Sequence, residues 1–440
     1  MYGPTIIITC ILVLLTFALP RKYFLIPFIL TVSFIPFDQR VIIGGLDFTP
    51  LRILLVIGVL RTFLRSEARH IKWNVFDKMI FAWAAWGAIA YIIQQGNMSA
   101  VINRSGVTFD IVGLYWLFRQ NIRSWDDVDF IARAFAAAAL VSALMVLLER
   151  GTGCNPFQIL GRVYTGMHRG RYRCRGSFQH SIMLGLFWVN LIPIFVGYAL
   201  TNRAKAFYWW MTAAACVLIV FSSGSSTTLV TLLWILLLLP LFAIRQHGKV
   251  MAFGLLGSIA GLHLVMNKPV WHLIGRVRII SGSTGYHRYR LIDAAVKHFD
   301  EWAFVGIRNT EHWGYGLFDI TNNYIRQGVN GGVVTLGLFI VVLVMAISIC
   351  GRYSLRKVPR KEQWLAWAFC VSVLAHCMSF LGVSYFGKIP MLLYLTFAVV
   401  AMVYDMSRSP SLANRFTLYE PYRTQPQDYT ADATHGPVTL

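Results

Sequence analysis

Charge is scarce in this chain. Of its 440 residues, 13% are charged and 57% hydrophobic, against about 25% charged in an ordinary soluble domain. So little polar surface excludes a soluble globular fold. Acidic residues are scarcer still, 19 against 40 basic ones, for a formal net charge of +21. The basic residues are dispersed through short loops between apolar runs rather than gathered in a patch, which excludes nucleic acid as a partner. The first apolar run, Thr5 to Leu19, has no basic residue ahead of it and no small-residue cleavage site behind it; it reads as a retained span, not a signal peptide. Cysteine is sparse outside the apolar runs. Five of seven (Cys10, Cys216, Cys350, Cys370, Cys377) fall within them, and Cys154 and Cys174 share one long loop. In an oxidising compartment that pair can bridge; two unrelated thiols are the other reading. The segment from 406 to 440 is polar, rich in Pro and Thr and without periodicity, and reads as a disordered tail.

What is present is a series of apolar runs, most of them roughly 15 to 21 residues long, enough to cross or nearly cross a hydrocarbon core of about 30 Å. They cover 5–19, 23–37, 50–63, 75–93, 106–118, 128–148, 182–200, 206–221, 227–243, 250–265, 331–350, 364–381 and 390–404. The expected fold is therefore an all-α, polytopic membrane bundle of about 12 to 13 spans occupying 1–405. One alternating set of connections is short and basic: Arg21 and Lys22; Arg61 to Lys72; Arg119 and Arg123; Arg203 and Lys205; Arg245 and Lys249; Arg352 to Lys361. The positive-inside bias assigns these six to the cytoplasm and the two long loops, 149–181 and 266–330, to the outside.

Both long loops are nevertheless rich in arginine. Long loops translocate regardless of charge and arginines bind lipid headgroups, which is one explanation. The other is an anionic ligand, because the planar guanidinium donates bidentate hydrogen bonds to phosphate and keeps its charge. In the first loop Arg169, Arg171, Arg173 and Arg175 alternate with Gly170, Tyr172, Cys174 and Gly176, so an extended chain presents four guanidinium groups on one side and Cys174 on the other. In the second, His287 to Glu301 has helical period, with Leu291, Ile292, Ala295, Val296 and Phe299 on one face and Ser283 or Thr284 available as a cap. Arg290 can meet Asp293, and Asp293 can meet Lys297. Arg288 projects from the middle of the apolar face, where it either snorkels or meets an anion.

The segments RCRGSFQHSIMLG (173–185), RYRLIDAAVKHFDEWAFVGI (288–307) and TNNYIRQGVNGGVVTLGLF (321–339) resemble, in order and spacing, the signature segments of the O-antigen ligase and polymerase superfamily. The resemblance implies a fold of the C-type glycosyltransferase kind in a bacterial inner membrane, with a large periplasmic loop at 266–330. It implies transfer of a glycan from an undecaprenyl-pyrophosphate donor onto a glycan or lipid A core acceptor, in lipopolysaccharide or exopolysaccharide synthesis, without a cofactor. It places the catalytic arginines at Arg173 and Arg288 and the loop-end positions Thr321, Asn322 and Tyr324 at the substrate; the residue pattern itself adds Arg169, Arg171, Arg175, Arg290 and Asp319 as substrate-binding candidates. The family's histidine ahead of the loop-end tyrosine is replaced by Thr321. His312, nine residues earlier, is the substitute base, with Glu311, Asp319 or the leaving phosphate as alternatives.

No metal is expected. The one Asp-X-Asp motif, Asp127 to Asp129, opens a span on the cytoplasmic side, where Ser124 caps the helix and Asp126 and Asp127 favour its positive end. The competing class is a secondary transporter or flippase for an anionic lipid-linked glycan. Such proteins hold charges near mid-membrane, whereas these spans have few, and SSGSSTT (222–228) reads as small residues that let helices approach.

Overall fold

The computed structural model describes residues 1–43, 46–168, 170–276 and 285–408. The fold is mostly helical, at 76%. The described helices are α1 (Gly3–Ala18), α2 (Ile26–Phe34), α3 (Pro50–Leu64), α4 (Val75–Gln95), α5 (Met98–Asn121), α6 (Trp125–Thr152), α7 (Ser181–Val189), α8 (Ile192–Thr201), α9 (Ala206–Ser223), α10 (Ser226–Leu238), α11 (Gly248–Val265), α12 (His272–Arg276), α13 (Gly285–Lys297), α14 (Phe299–Trp302), α15 (Asn323–Ser354), α16 (Arg360–Phe380) and α17 (Ile389–Arg408). Two short antiparallel hairpins accompany them. β1 (Val41–Ile43) pairs with β2 (Leu46–Phe48), and β3 (Gly166–His168) pairs with β4 (Arg171–Arg173), Gly166 facing Arg173.

Every expected span coincides with a helix, but the number able to cross alone is smaller. Among the described residues, eight helical stretches are long and apolar enough to span a membrane. One of them, Ser226–Val265, joins two expected spans across a backbone break at Ile244, and its second half, α11, buries no residue. Of the four expected spans left over, the helices at 3–18, 26–34 and 50–64 are short, and α5 carries Arg104, Asp110 and Arg119. The protein is thus a multi-pass helical bundle of the expected class.

Local chemistry accounts for the helix ends. Asn74 with Asp77 and Ser124 with Asp127 each form a reciprocal capping box, the second as the sequence suggests. Asp129 is likewise engaged structurally, accepting from the Tyr198 hydroxyl at 2.5 Å and pairing with Lys361. α15 starts well ahead of its apolar run because Asn322 Oδ1 accepts from the Tyr324 and Ile325 amides at 2.9 and 3.1 Å. That helix breaks at Gly331–Gly332. Gly332 has φ +73°, and a Cβ there would lie 2.0 Å from Phe304 O, so only glycine lets the second long loop pack so close. The Val333 amide then bonds Ala303 O at 2.8 Å.

Hydrogen bonds tie five of the six basic connections to one another. Arg21 reaches Asn121 O and Asp127; Arg61 reaches Thr16 O and Glu67; Arg123 reaches Glu67 O; Arg119 joins Asp77 and Asp405; Lys361 joins Asp129; Arg245 reaches Ser354 O and Gln363. They share one end of the bundle. α6 and α15 each run from that end to a long loop, which puts both long loops at the opposite end. Arg61, Asp77 and Arg119 are fully buried. All three sit near helix ends, where partners from neighbouring connections reach them.

The tail expected from 406 begins inside α17, which continues to Arg408; 409–440 lies outside the described residues.

Candidate functional site

The first long loop is held from two sides by opposite charges. Glu149, fully buried at the end of α6, accepts from the Arg175 and Gly176 amides, each at 2.9 Å, and from Thr165 Oγ1 at 3.1 Å. Lys388, buried just before α17, donates to Ile35 O at 2.8 Å, Ser177 O at 3.0 Å and Ser177 Oγ at 2.7 Å, and lies 4.2 Å from the Phe178 ring centre. Burial pushes this ammonium well below the usual lysine range. Residues 174–178 are therefore fixed as a rigid strap, with the Cys174 amide also bonded to Ser222 O at 3.1 Å.

The strap aims Arg173 at the turn between α9 and α10. Its Nε donates to Ser223 O at 3.4 Å, and its stem packs on Gly224, where a Cβ would come 3.2 Å from Arg173 Cγ. Gly224 has φ +58°, so the turn itself also favours glycine. The second loop brings Arg288 to the same turn. Arg288 Nη2 donates to Thr227 Oγ1 at 2.7 Å, and its Nε donates to Gly382 O, in the turn between α16 and α17, at 3.2 Å. Burial pushes both guanidinium groups below their usual range, with Arg175 adding to the effect at Arg173. Neither forms an ion pair among the described residues. The SSGSSTT stretch, read from the sequence as a packing feature, is the segment that both arginines touch.

α13 is positioned by a small core of its own: Leu291, Ala294, Ala295, Trp302, Trp313, Leu317, Ile325 and Val329. Full burial of Leu291 contributes roughly 1.5–3 kcal/mol. The expected apolar face is right at Leu291 and Ala295, while Val296 and Phe299 are half exposed. Arg288 lies on that face and docks on the bundle. Asp293 pairs with Lys297 at 2.8 Å and not with Arg290, whose guanidinium rests against Gly314. The proposed caps Ser283 and Thr284 lie outside the described residues.

The expected disulfide is corrected. Cys154 and Cys174 are both free: Cys154 is exposed, while Cys174 is buried with its Sγ 3.7 Å from Val146 O. Alternation does turn Cys174 away from Arg173, but into the bundle instead of toward Cys154. Arg173 and Arg175 do not continue one row, because β4 ends at Arg173 and Arg175 turns back over Gly166. Arg169 and the side chain of Arg171 lie outside what is described. Asn322 serves as the helix cap, and Tyr324 points its hydroxyl into the bundle, bonding Cys377 O at 3.1 Å. Thr321 Oγ1 is buried with no hydrogen-bond partner among the described residues. His312 Nε2 is taken by Glu301 at 2.7 Å, and no described contact joins it to Arg173 or Arg288.

The histidine near the arginines is His180, within the first motif but not singled out from the sequence. It precedes α7 and meets Phe386 edge-on at 5.7 Å. Partial loss of its water shell and then the charge of Arg175 push its ring pKa down; Asp319 pulls it up and Arg173 adds to the push. Arg175 and Phe386 also line a cavity of about 990 Å³ whose wall includes Arg52, Asp110, Arg326 and Tyr385. Arg173, Arg288 and His180 are outside that wall; His180 touches it through Phe386 and feels the charges of Arg175 and Arg173. Neither family models nor curated proteins match this chain.

Proposed function

We propose that this protein is an inner-membrane glycan transferase that moves a glycan from undecaprenyl pyrophosphate to an acceptor sugar, with its long-loop end facing the periplasm. The observation that carries the reading is that Arg173 and Arg288, from two loops over a hundred residues apart, each bond the segment 223–227, neither with a carboxylate partner among the described residues. Two such groups suit a pyrophosphate leaving group, whose growing charge they neutralise without a metal. The acceptor hydroxyl oxygen forms its bond to the anomeric carbon while the bond to the pyrophosphate oxygen breaks, with inversion. The hydroxyl proton passes to a base. His180 is better placed for that step than His312, because it feels the charge of Arg173 and of Arg175, which lines the cavity, whereas no described contact joins His312 to either. Aromatic and amide groups in the cavity wall, among them Tyr91, Gln179 and Gln327, suit a sugar chain. The positive-inside bias and the common end of the basic connections support the orientation.

A transporter or flippase is the second reading, favoured by the same large cavity, which includes the Arg52–Asp110 pair joined at 2.9 Å. Purified wild-type protein incubated with undecaprenyl-pyrophosphate glycan and an acceptor glycan separates the two. New glycan on the acceptor, lost in Arg173→Ala and Arg288→Ala, supports transfer. Movement of the donor across vesicles without transfer supports the flippase.

A further inference from the structure

We propose that His298, Glu301 and His312 form a binding site for a divalent transition metal, zinc by its donor chemistry, that clamps the helix carrying Arg288. The site goes beyond the transferase reading and does not depend on it. His298 Nδ1, the Glu301 carboxylate and His312 Nε2 lie within 4.8 Å of one another. Glu301 holds the other two apart on separate oxygens, His298 Nδ1 on Oε1 and His312 Nε2 on Oε2, each at 2.7 Å. Donor atoms around tetrahedral zinc, bonded at about 2.0–2.1 Å, stand roughly 3.3 Å apart. Opening the two histidine–glutamate pairs by about half an ångström would admit the ion, with the two histidine nitrogens already within 4.8 Å of each other.

The ligands are oriented before any ion arrives. Trp313 Nε1 donates to Glu301 Oε2 at 3.0 Å, and the His298 ring stacks on Trp313 with 11° between planes. Outer contacts of this kind fix the direction of metal ligands. Two imidazoles and a carboxylate suit zinc, copper or nickel, and not magnesium or calcium, which take oxygen ligands. All three side chains are partly exposed, 33%, 29% and 51%, which leaves a path for the ion and a fourth position for water.

The placement explains what the metal would do. His298 follows the last residue of α13, Glu301 belongs to α14, and His312 comes from the turn that Trp313 anchors in the small core. An ion bound to all three ties the end of α13 to that turn. Arg288 is on the same helix, and the cluster makes no described contact with it, so the metal's role is to brace rather than to react.

The test uses the full-length, untagged chain in detergent, stripped with a chelator and then loaded with zinc chloride or cobalt chloride. We expect about one zinc per chain after desalting, a visible cobalt absorption of a four- or five-coordinate site, and slower amide exchange over 298–313 in the loaded form. Glu301→Gln and His312→Ala should each weaken zinc retention at least tenfold. A wild type that retains no more zinc than His298→Ala/His312→Ala overturns the proposal, and so does zinc retained equally by all the variants. If the variants fail to fold, the wild-type cobalt spectrum decides alone: octahedral, solvent-like absorption rejects the site.

Discussion

Glu149→Gln should release the first long loop while leaving the helical bundle intact. Both carboxylate oxygens are in use: Oε1 accepts from the Arg175 amide, Thr165 Oγ1 and, at 3.4 Å, Asn155 Nδ2, while Oε2 accepts from the Gly176 amide. A glutamine amide has one oxygen and one NH2, so in either orientation an NH2 faces a backbone N–H. At least one charge-assisted hydrogen bond is lost, about 1.5–3 kcal/mol, and a buried donor is left opposed by another, about 1–3 kcal/mol more. The total, roughly 3–5 kcal/mol, corresponds to a rise of a hundredfold or more in local opening, since each 1.4 kcal/mol is about tenfold. Amide hydrogen exchange of the purified protein reads this directly at Arg175 and Gly176. Transfer should fall in parallel, because the strap that aims Arg173 at Ser223 has come loose. Glu149→Asp, which keeps the charge but is one methylene shorter, should lie between. Unchanged exchange at 175 and 176 in Glu149→Gln would refute the reasoning, whatever the activity.

Arg288→Lys should restore little of the transfer lost in Arg288→Ala, which we expect to fall by about a hundredfold or more; a single ammonium cannot serve Thr227 Oγ1, Gly382 O and a phosphate together. Arg290→Ala should cost only a few-fold, since that side chain rests on the Gly314 turn; equal loss at 288 and 290 in a transfer assay would contradict the assignment. His180→Ala should reduce transfer by about 10²–10⁴-fold if it is the base. Its lowered ring pKa keeps it neutral, and so competent, down to a pH below the ordinary value of about 6.5. kcat/KM, which reports the free protein, should then fall as pH drops through that lowered value, and Arg175→Ala should move this acid limb to higher pH. Mass spectrometry of non-reduced protein should find Cys154 and Cys174 both free, with Cys174 slow to alkylate because burial pushes its thiol up to about 12.

The membrane class was legible because it depends on composition over whole segments, and a span of apolar residues needs no partner to be recognised. The capping of α6 was legible for the opposite reason: Ser124 and Asp127 act on each other three residues apart. Arg288 also announced itself, as a charge in the middle of an apolar face. The disulfide failed because spacing says nothing of direction; Cys174 shares a loop with Cys154 but turns toward Val146. The Arg290–Asp293 pair failed because Asp293 had a second candidate at four residues' spacing, and Lys297 won. Glu149 and Lys388 were invisible as loop anchors. Their partners are backbone groups at 35, 175, 176 and 177, contacts that no residue pattern records. The histidine cluster was hidden similarly, since His312 meets Glu301 only after the chain has turned back.

His180 draws a consequence from the same electrostatics that favour the arginine pair. Arg175 and Arg173 hold its proton affinity down, on top of the cost of partial desolvation. A base kept neutral in this way accepts a proton reluctantly, which would make it a poor partner for an acceptor hydroxyl. The arriving donor changes that balance, because a pyrophosphate on Arg173 and Arg288 offsets the positive field that His180 feels. Its proton affinity must then rise, and by linkage a protonated His180 must in turn favour the bound pyrophosphate. The base therefore becomes effective when the leaving group is in place, and after the reaction the imidazolium opposes release of the charged product until its proton is lost. An inert pyrophosphate lipid should accordingly raise the His180 ring pKa, measured by proton NMR of the labelled histidine. It should do so in the wild type and not in Arg173→Ala/Arg288→Ala. A ring pKa indifferent to the lipid in the wild type would mean that His180 and the arginine pair do not share a substrate.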